Sequence, residues 1–232
     1  MIERYSIIAT STQLTERFNV DVPESYKQRY NAAPAQLLPV ITDESAQGVS
    51  FFYWGTSPEW TKNKIPGEKI INVRLEAIAE KPVLKKNLKQ HRCIIPADGF
   101  YGWKKVSKKS SIPYRFTHHT DTLFAIAGLW EEYDNDEGEM FHTFTMITTV
   151  SDDLVTPVTD RMPCILDRSF EKLWLSKQST EEQLLTMLAS TNMSNTRGYT
   201  IAPSINNITS DNPTLILPAP AADQFGNLRL FD

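Results

Sequence analysis

Strand-like apolar runs dominate the middle of this chain, while helical spacing of apolar residues is confined to short stretches around them. Arg4 to Ala9 reads as a first short strand. Ser11 or Thr12 is placed to cap a short helix whose Leu14 and Phe18 fall four apart on one face. Val49 to Trp54 is aromatic and strand-like. Leu75 to Gln90 has helical composition but contains Pro82, which predicts two short helical pieces or a kink. Strands are then expected in series at Arg92 to Pro96, Phe100 to Lys104, Pro113 to His118, Leu123 to Trp130 and Phe141 to Thr149. The acidic stretch Glu131 to Glu139 reads as the loop between the last two. Beyond Met162 the spacing of Phe170, Leu173 and Trp174 turns helical, and Ser179 with Glu182 reads as a capping box ahead of Leu184, Leu185 and Leu188. A last pair of strands is expected near Tyr199 to Ile208 and Thr214 to Leu217. Strands in succession, with helices that do not alternate regularly with them, point to an α+β fold. The strand-spaced aromatics Phe100, Tyr101, Trp103, Phe124, Trp130 and Trp174 are assigned to its core.

At 232 residues, 41% hydrophobic and 22% charged, the chain suits a single domain spanning 1–232 with a sizeable core. No apolar run approaches the roughly 20 residues that span a bilayer, and the N-terminus lacks signal-peptide character, so a cytoplasmic protein is expected. The two cysteines, Cys93 and Cys164, sit inside apolar runs and read as buried free thiols. None of His91, His118, His119 and His142 shows ligand spacing with them, so neither a metal nor a cofactor is expected.

The net charge of −4 is unevenly spread. Between Trp60 and Arg115 lie eleven Lys and three Arg against Glu68, Glu76, Glu80 and Asp98, a local excess of ten positive charges, and the remainder carries −14. Such asymmetry is a candidate footprint for a polyanion, because local potential steers phosphate. A lysine-rich solvated face is the plainer alternative.

Five segments in register carry more information: the opening Met1-Ile2-Glu3-Arg4, then Arg29 to Pro34 (RYNAAP), Asn72 to Glu76 (NVRLE), Ala97 to Trp103 (ADGFYGW) and Asp160 to Pro163 (DRMP). Together they resemble the SOS response-associated peptidase (SRAP) family of abasic-site processing proteins. The resemblance runs through Phe124 to Trp130 to the segment at Ile205 and the tail at Pro213 to Pro218. It implies mostly antiparallel strands in a barrel-like core with peripheral helices.

The resemblance also implies a chemistry that this chain departs from. Family members open Met-Cys-Gly-Arg, and after methionine removal the amine and thiol of residue 2 condense with an abasic-site aldehyde to a thiazolidine. The amine alone gives a reversible imine, and the thiolate closes the ring. Ile2 has no sulfur, and its bulk hinders removal of Met1. The family carries Glu where this chain has Gly102, and His where it has Thr159, both suited to proton transfer. The three substitutions predict an inactive homologue. Glu3 offers a nearby carboxylate, but proton transfer demands placement to a fraction of an ångström. Despite the family name, proteolysis is not expected.

The strand-holding residues are kept. By resemblance, Asn31 and Pro34 line the site entrance, Asn72 and Arg74 contact the abasic nucleotide or its phosphates, Arg161 grips backbone, and Trp60 stacks near the bases. The structural alternative is that Asn31 and Asn72 satisfy loop backbone while Arg74 pairs with Glu76 or Asp98. The leading expectation is a DNA-damage-response pseudoenzyme that binds single-stranded DNA, abasic sites included, through the basic segment. One alternative is residual imine, lyase or self-processing chemistry through the Met1 amine, and another is an interaction paralogue without DNA binding.

Overall fold

The computed structural model describes residues 1–55, 70–120, 122–134, 138–191 and 193–228. In chain order its elements are β1 (Tyr5–Ile7), α1 (Ser11–Phe18), β2 (Arg29–Ala32), β3 (Leu37–Thr42), β4 (Ser50–Trp54), β5 (Asn72–Arg74), α2 (Leu75–Glu80), α3 (Pro82–Gln90), β6 (Arg92–Ala97), β7 (Gly99–Ser107), β8 (Ser110–His118), β9 (Phe124–Asp134), β10 (Met140–Val150), β11 (Arg161–Pro163), α4 (Glu171–Trp174), α5 (Glu181–Ala189) and β12 (Thr196–Thr200). Two 3-10 turns, Pro203–Asn206 and Pro213–Ile216, follow.

The expected α+β barrel is present. Strands β10, β4, β3, β6 and β9 pair in that order, and β9 pairs back onto β10 to close the ring. All these pairings are antiparallel except β4 with β10. A second sheet, ordered β12, β8, β7, β1, β2, lies beside it. Two outer strands attach to β10, with β5 parallel and β11 antiparallel to it.

Strand pleating explains why the barrel sequence reads as nearly unbroken apolar runs. Neighbouring residues point to opposite faces, and both faces are covered. Leu38, Val40, Ile95, Ile126 and Met146 join the cluster that also holds Ile2, Tyr5 and Trp54. Their neighbours Ile41, Ile94, Ala127 and Ile147 pack instead with Leu88, Trp174, Leu184 and Leu188 from the helices.

Several local expectations shift. Both longer capping boxes start on threonine: Thr10 with Gln13 caps α1 and Thr180 with Gln183 caps α5, one residue from the expected caps. Pro82 divides the helical stretch and occupies the first turn of α3, where its missing N–H is harmless. The expected final strands are instead β12 followed by the 3-10 turns, because Pro203 and Pro213 each open a turn with fixed φ. Trp103 is only half-buried, and its Nε1 donates to Asn206 Oδ1 at 2.8 Å. Cys93 and Cys164 are free and buried, and among the described residues no helix is long and apolar enough to cross a membrane.

Candidate functional site

Residue 2 lies where the two sheets meet. The Ile2 side chain is 0% exposed and belongs to the main core cluster. Its carbonyl oxygen accepts a hydrogen bond from Asn72 Nδ2 at 2.6 Å. Asn72 reaches it because β5 runs parallel to β10, with Asn72 opposite Met146 and Arg74 opposite Thr148. The other amide atom, Asn72 Oδ1, is buried without a donor among the described residues. Met1 itself projects outward, 65% exposed, with its ammonium 3.9 Å from a carboxylate oxygen of Asp160, which is 84% exposed.

The other two departures face each other. Tyr5 pairs with Phe100 and the Tyr101 N–H donates to the Arg4 carbonyl, so Gly102 falls beside the N-terminal segment. A Cβ at position 102 would sit 3.0 Å from Val158 Cγ1 and 3.3 Å from Thr159 Cγ2. Val158 shares the core cluster with Ile2. Gly102 thus packs against Val158 and Thr159, and Ile2 joins the same core cluster as Val158, at positions where the resemblance places a thiol, a carboxylic acid and an imidazole.

Arg161 is buried and already engaged. Its two terminal nitrogens each lie 2.9 Å from a Glu76 carboxylate oxygen, and Nη2 also donates to the Thr148 carbonyl at 2.6 Å. That hydrogen bond from Arg161 is the main reason the Glu76 carboxyl is held below its ordinary value. Arg161 Nε is buried with no acceptor among the described residues. Arg74, by contrast, is exposed and makes no hydrogen bond or ion pair among the described residues. Of the alternative partners for Arg74, Glu76 is hydrogen-bonded by Arg161, with Arg74 adding only a smaller electrostatic pull on that carboxyl, and Asp98 takes Arg115 at 2.7 Å.

Asn31 is buried and satisfied from within the chain. Its Oδ1 accepts from Arg4 Nη1 at 2.9 Å, and its Nδ2 faces the carbonyls of Ile205, Asn207 and Ser210 at 3.3, 3.1 and 3.0 Å. Burial holds the Arg4 guanidinium below its ordinary value, against the opposing pull of Glu3. Pro34 is half-buried at the second position of a tight turn, in which the Gln36 N–H donates to the Ala33 carbonyl and Ala35 takes a φ of 65°. Trp60 lies outside the described residues, as do Lys62, Lys64 and Lys69 of the basic segment.

Four cations of the basic segment are committed elsewhere than residue 2. Lys85 and Lys89 both reach Glu181 on α5, at 3.5 and 3.0 Å. Arg92 is fully buried, donating to the carbonyls of Leu88, Trp174 and Ser176. Arg115 is buried with Asp98, so neither arginine contributes to a surface field. Glu3 is exposed without a hydrogen bond or ion pair among the described residues. Burial pushes the Cys93 thiol well above its ordinary value and the Cys164 thiol up to about 12, which rules against either as a nucleophile. Sequence reasoning missed Val158 and Asp160 as neighbours of the N-terminus; their adjacency to Thr159 is the only local signal for them.

Residues 1–208 match the SOS response associated peptidase (SRAP) family. This chain belongs to the SRAP family. Among its relatives, abasic site processing protein YoqW of Bacillus subtilis (strain 168) is 37% identical over 221 residues, covering 93% of this chain and 99% of the relative. Abasic site processing protein YoaM of the same organism is 34% identical, covering 93% and 97%. A crystal structure of a protein from Bacteroides thetaiotaomicron superposes on this SRAP domain with a TM-score of 0.82 at 24% identity, over 93% of this chain and 99% of that one, which shows a shared fold.

Proposed function

We propose that this SRAP domain is a cytoplasmic DNA-damage-response protein that binds single-stranded DNA, abasic sites included, and releases it without a lasting covalent bond. The observation that carries this reading is the side chain at residue 2: an isoleucine, wholly buried, in the place where the family resemblance calls for a thiol. The substrate class comes from the abasic-site processing relatives. The neighbouring groups support it. Arg74 is exposed and makes no hydrogen bond or ion pair among the described residues, which leaves its guanidinium to phosphate, while Asn72 holds the backbone of residue 2 beside it. Asn31 and Arg161 serve the strand by fixing the walls, Pro34 shapes the entrance, and Trp60 supplies the stacking surface. The test mixes the protein with a fluorescent abasic single strand and its intact control, resolving native complexes and denatured, borohydride-treated products. Salt-sensitive native binding with no product surviving denaturation is expected; loss of binding even at low salt overturns the reading.

The exposed Met1 amine favours a second reading. It condenses with an abasic aldehyde to an imine and water, a bond that borohydride reduces to a stable amine. A trapped band in the same experiment establishes that chemistry, and its absence removes it.

A further inference from the structure

A cleft of about 670 Å³ opens at the far end of β1, lined by Ile8 and Ala9 rather than by residue 2. Ile8 lies six positions after Ile2, about 20 Å of extended chain, and the cleft shares no lining residue with the site described above. Its volume is that of a small-molecule pocket.

The floor is polar but internally satisfied. The Asp98 carboxylate takes Arg115 Nη2 at 2.7 Å, the Ser6 hydroxyl at 2.6 Å and the Ile8 N–H. Arg115 Nη1 donates to Tyr199 Oη at 2.8 Å, and that hydroxyl donates to the Ile216 carbonyl at 2.9 Å. Burial pushes the Asp98 carboxyl up, against the pull of Arg115. A network so closed has little left to offer a ligand, and it stiffens the cavity. The walls add apolar surface from Ile8, Leu123 and Ile216.

The mouth carries the recognition chemistry. Arg17, Arg168 and Arg197 line it with Glu16. Arg17 is committed to Glu171 through a bidentate pair at 2.9 and 2.5 Å. Arg168 is exposed and makes no hydrogen bond or ion pair among the described residues. With Arg17 neutralised by Glu171 and Arg115 by Asp98, two further arginines of the lining, Arg168 and Arg197, stand against the single acid Glu16. The cleft therefore joins an apolar, aromatic-edged interior to a guanidinium-rich rim, and guanidinium groups match phosphate bidentately.

We propose that this cleft binds an organic phosphate with a flat apolar body, the chemistry of a nucleoside monophosphate or of the phosphorylated end of a strand, with the phosphate on Arg168 and the ring against Leu123, Ile216 and Tyr199. The proposal stands independently of abasic-site binding. Isothermal titration of the full chain with dAMP, deoxyadenosine and inorganic phosphate tests it. Saturable dAMP binding is expected, with deoxyadenosine and phosphate each about tenfold weaker or more. Arg168→Ala weakens dAMP binding about tenfold, while Glu16→Lys strengthens it, and opposite signs at one rim do not arise from misfolding. A 5′-phosphorylated tetranucleotide that competes with dAMP identifies a strand end as the source; failure to compete identifies the free nucleotide. The proposal is overturned if dAMP gives no saturable heat, if deoxyadenosine binds equally well, or if neither substitution changes the affinity.

Discussion

The carbonyl of Ile2 and the amide of Asn72 are joined by a 2.6 Å hydrogen bond that ties the second residue of the chain to an outer strand of the barrel. Asn72→Ala removes the donor and leaves a carbonyl in a largely buried setting unpaired, at a cost of about 1–3 kcal/mol. Urea unfolding measures that loss. Asn72→Asp costs at least as much, because a carboxylate then faces the Ile2 carbonyl oxygen. Equal stability of all three proteins would show that the bond does not hold the N-terminus.

Restoring sulfur alone does not restore a crosslink. Ile2→Cys leaves Gly102 and Thr159 in place, and no abasic-DNA product survives denaturation beyond a trace. Adding Gly102→Glu and Thr159→His also requires Val158→Ala, since a Cβ at 102 meets Val158 at 3.0 Å and overpacking costs about 1–3 kcal/mol. The fourfold variant gives the denaturation-resistant band. Efficient crosslinking by Ile2→Cys alone contradicts this account.

Arg74 is exposed, so its removal separates binding from folding. Arg74→Ala leaves stability within about 0.5 kcal/mol and weakens single-strand binding. It also lowers the slope of log affinity against log salt by about one, as expected for one lost phosphate contact. Fluorescence anisotropy at several salt concentrations reads both quantities.

Arg161→Ala behaves differently, because Arg161 holds Glu76 and the Thr148 carbonyl. The loss is roughly 2 kcal/mol, less than for a fully buried pair because Glu76 is half exposed. The Glu76 carboxyl is depressed below its ordinary value of 4.5, so its contribution is complete above that pH and fades as pH falls through the lower folded-state value. The stability gap between the native protein and Glu76→Gln accordingly narrows on acidification below about pH 4.5. A gap that stays constant between pH 7 and pH 3 contradicts the assignment.

The barrel strands were legible because their residues are buried on both faces, and a run such as Phe124 to Trp130 has few readings other than a core strand. Pro82 likewise announced the break between α2 and α3. The 3-10 turns after β12 were not legible, since isoleucine and leucine near proline satisfy strand and turn patterns equally. At the site, the sequence named candidate positions but not their structural partners. Glu76 stands two residues from Arg74 and 85 from Arg161, yet strand pairing across β10 gives it to Arg161. Asn31 showed the same limit: its donor Arg4 and its carbonyl partners near residue 207 are distant in the chain.

The parallel pairing of Tyr53 with Thr143 also governs when residue 2 becomes hidden. In order of synthesis Ile2 precedes the strand that closes the barrel by some 140 residues, an interval on the order of ten seconds. Throughout it Ile2 lacks its final enclosure, since Val158 of the same core cluster is made later still. An apolar side chain at this position is thus exposed early and hidden late, and its burial reports that the barrel has closed.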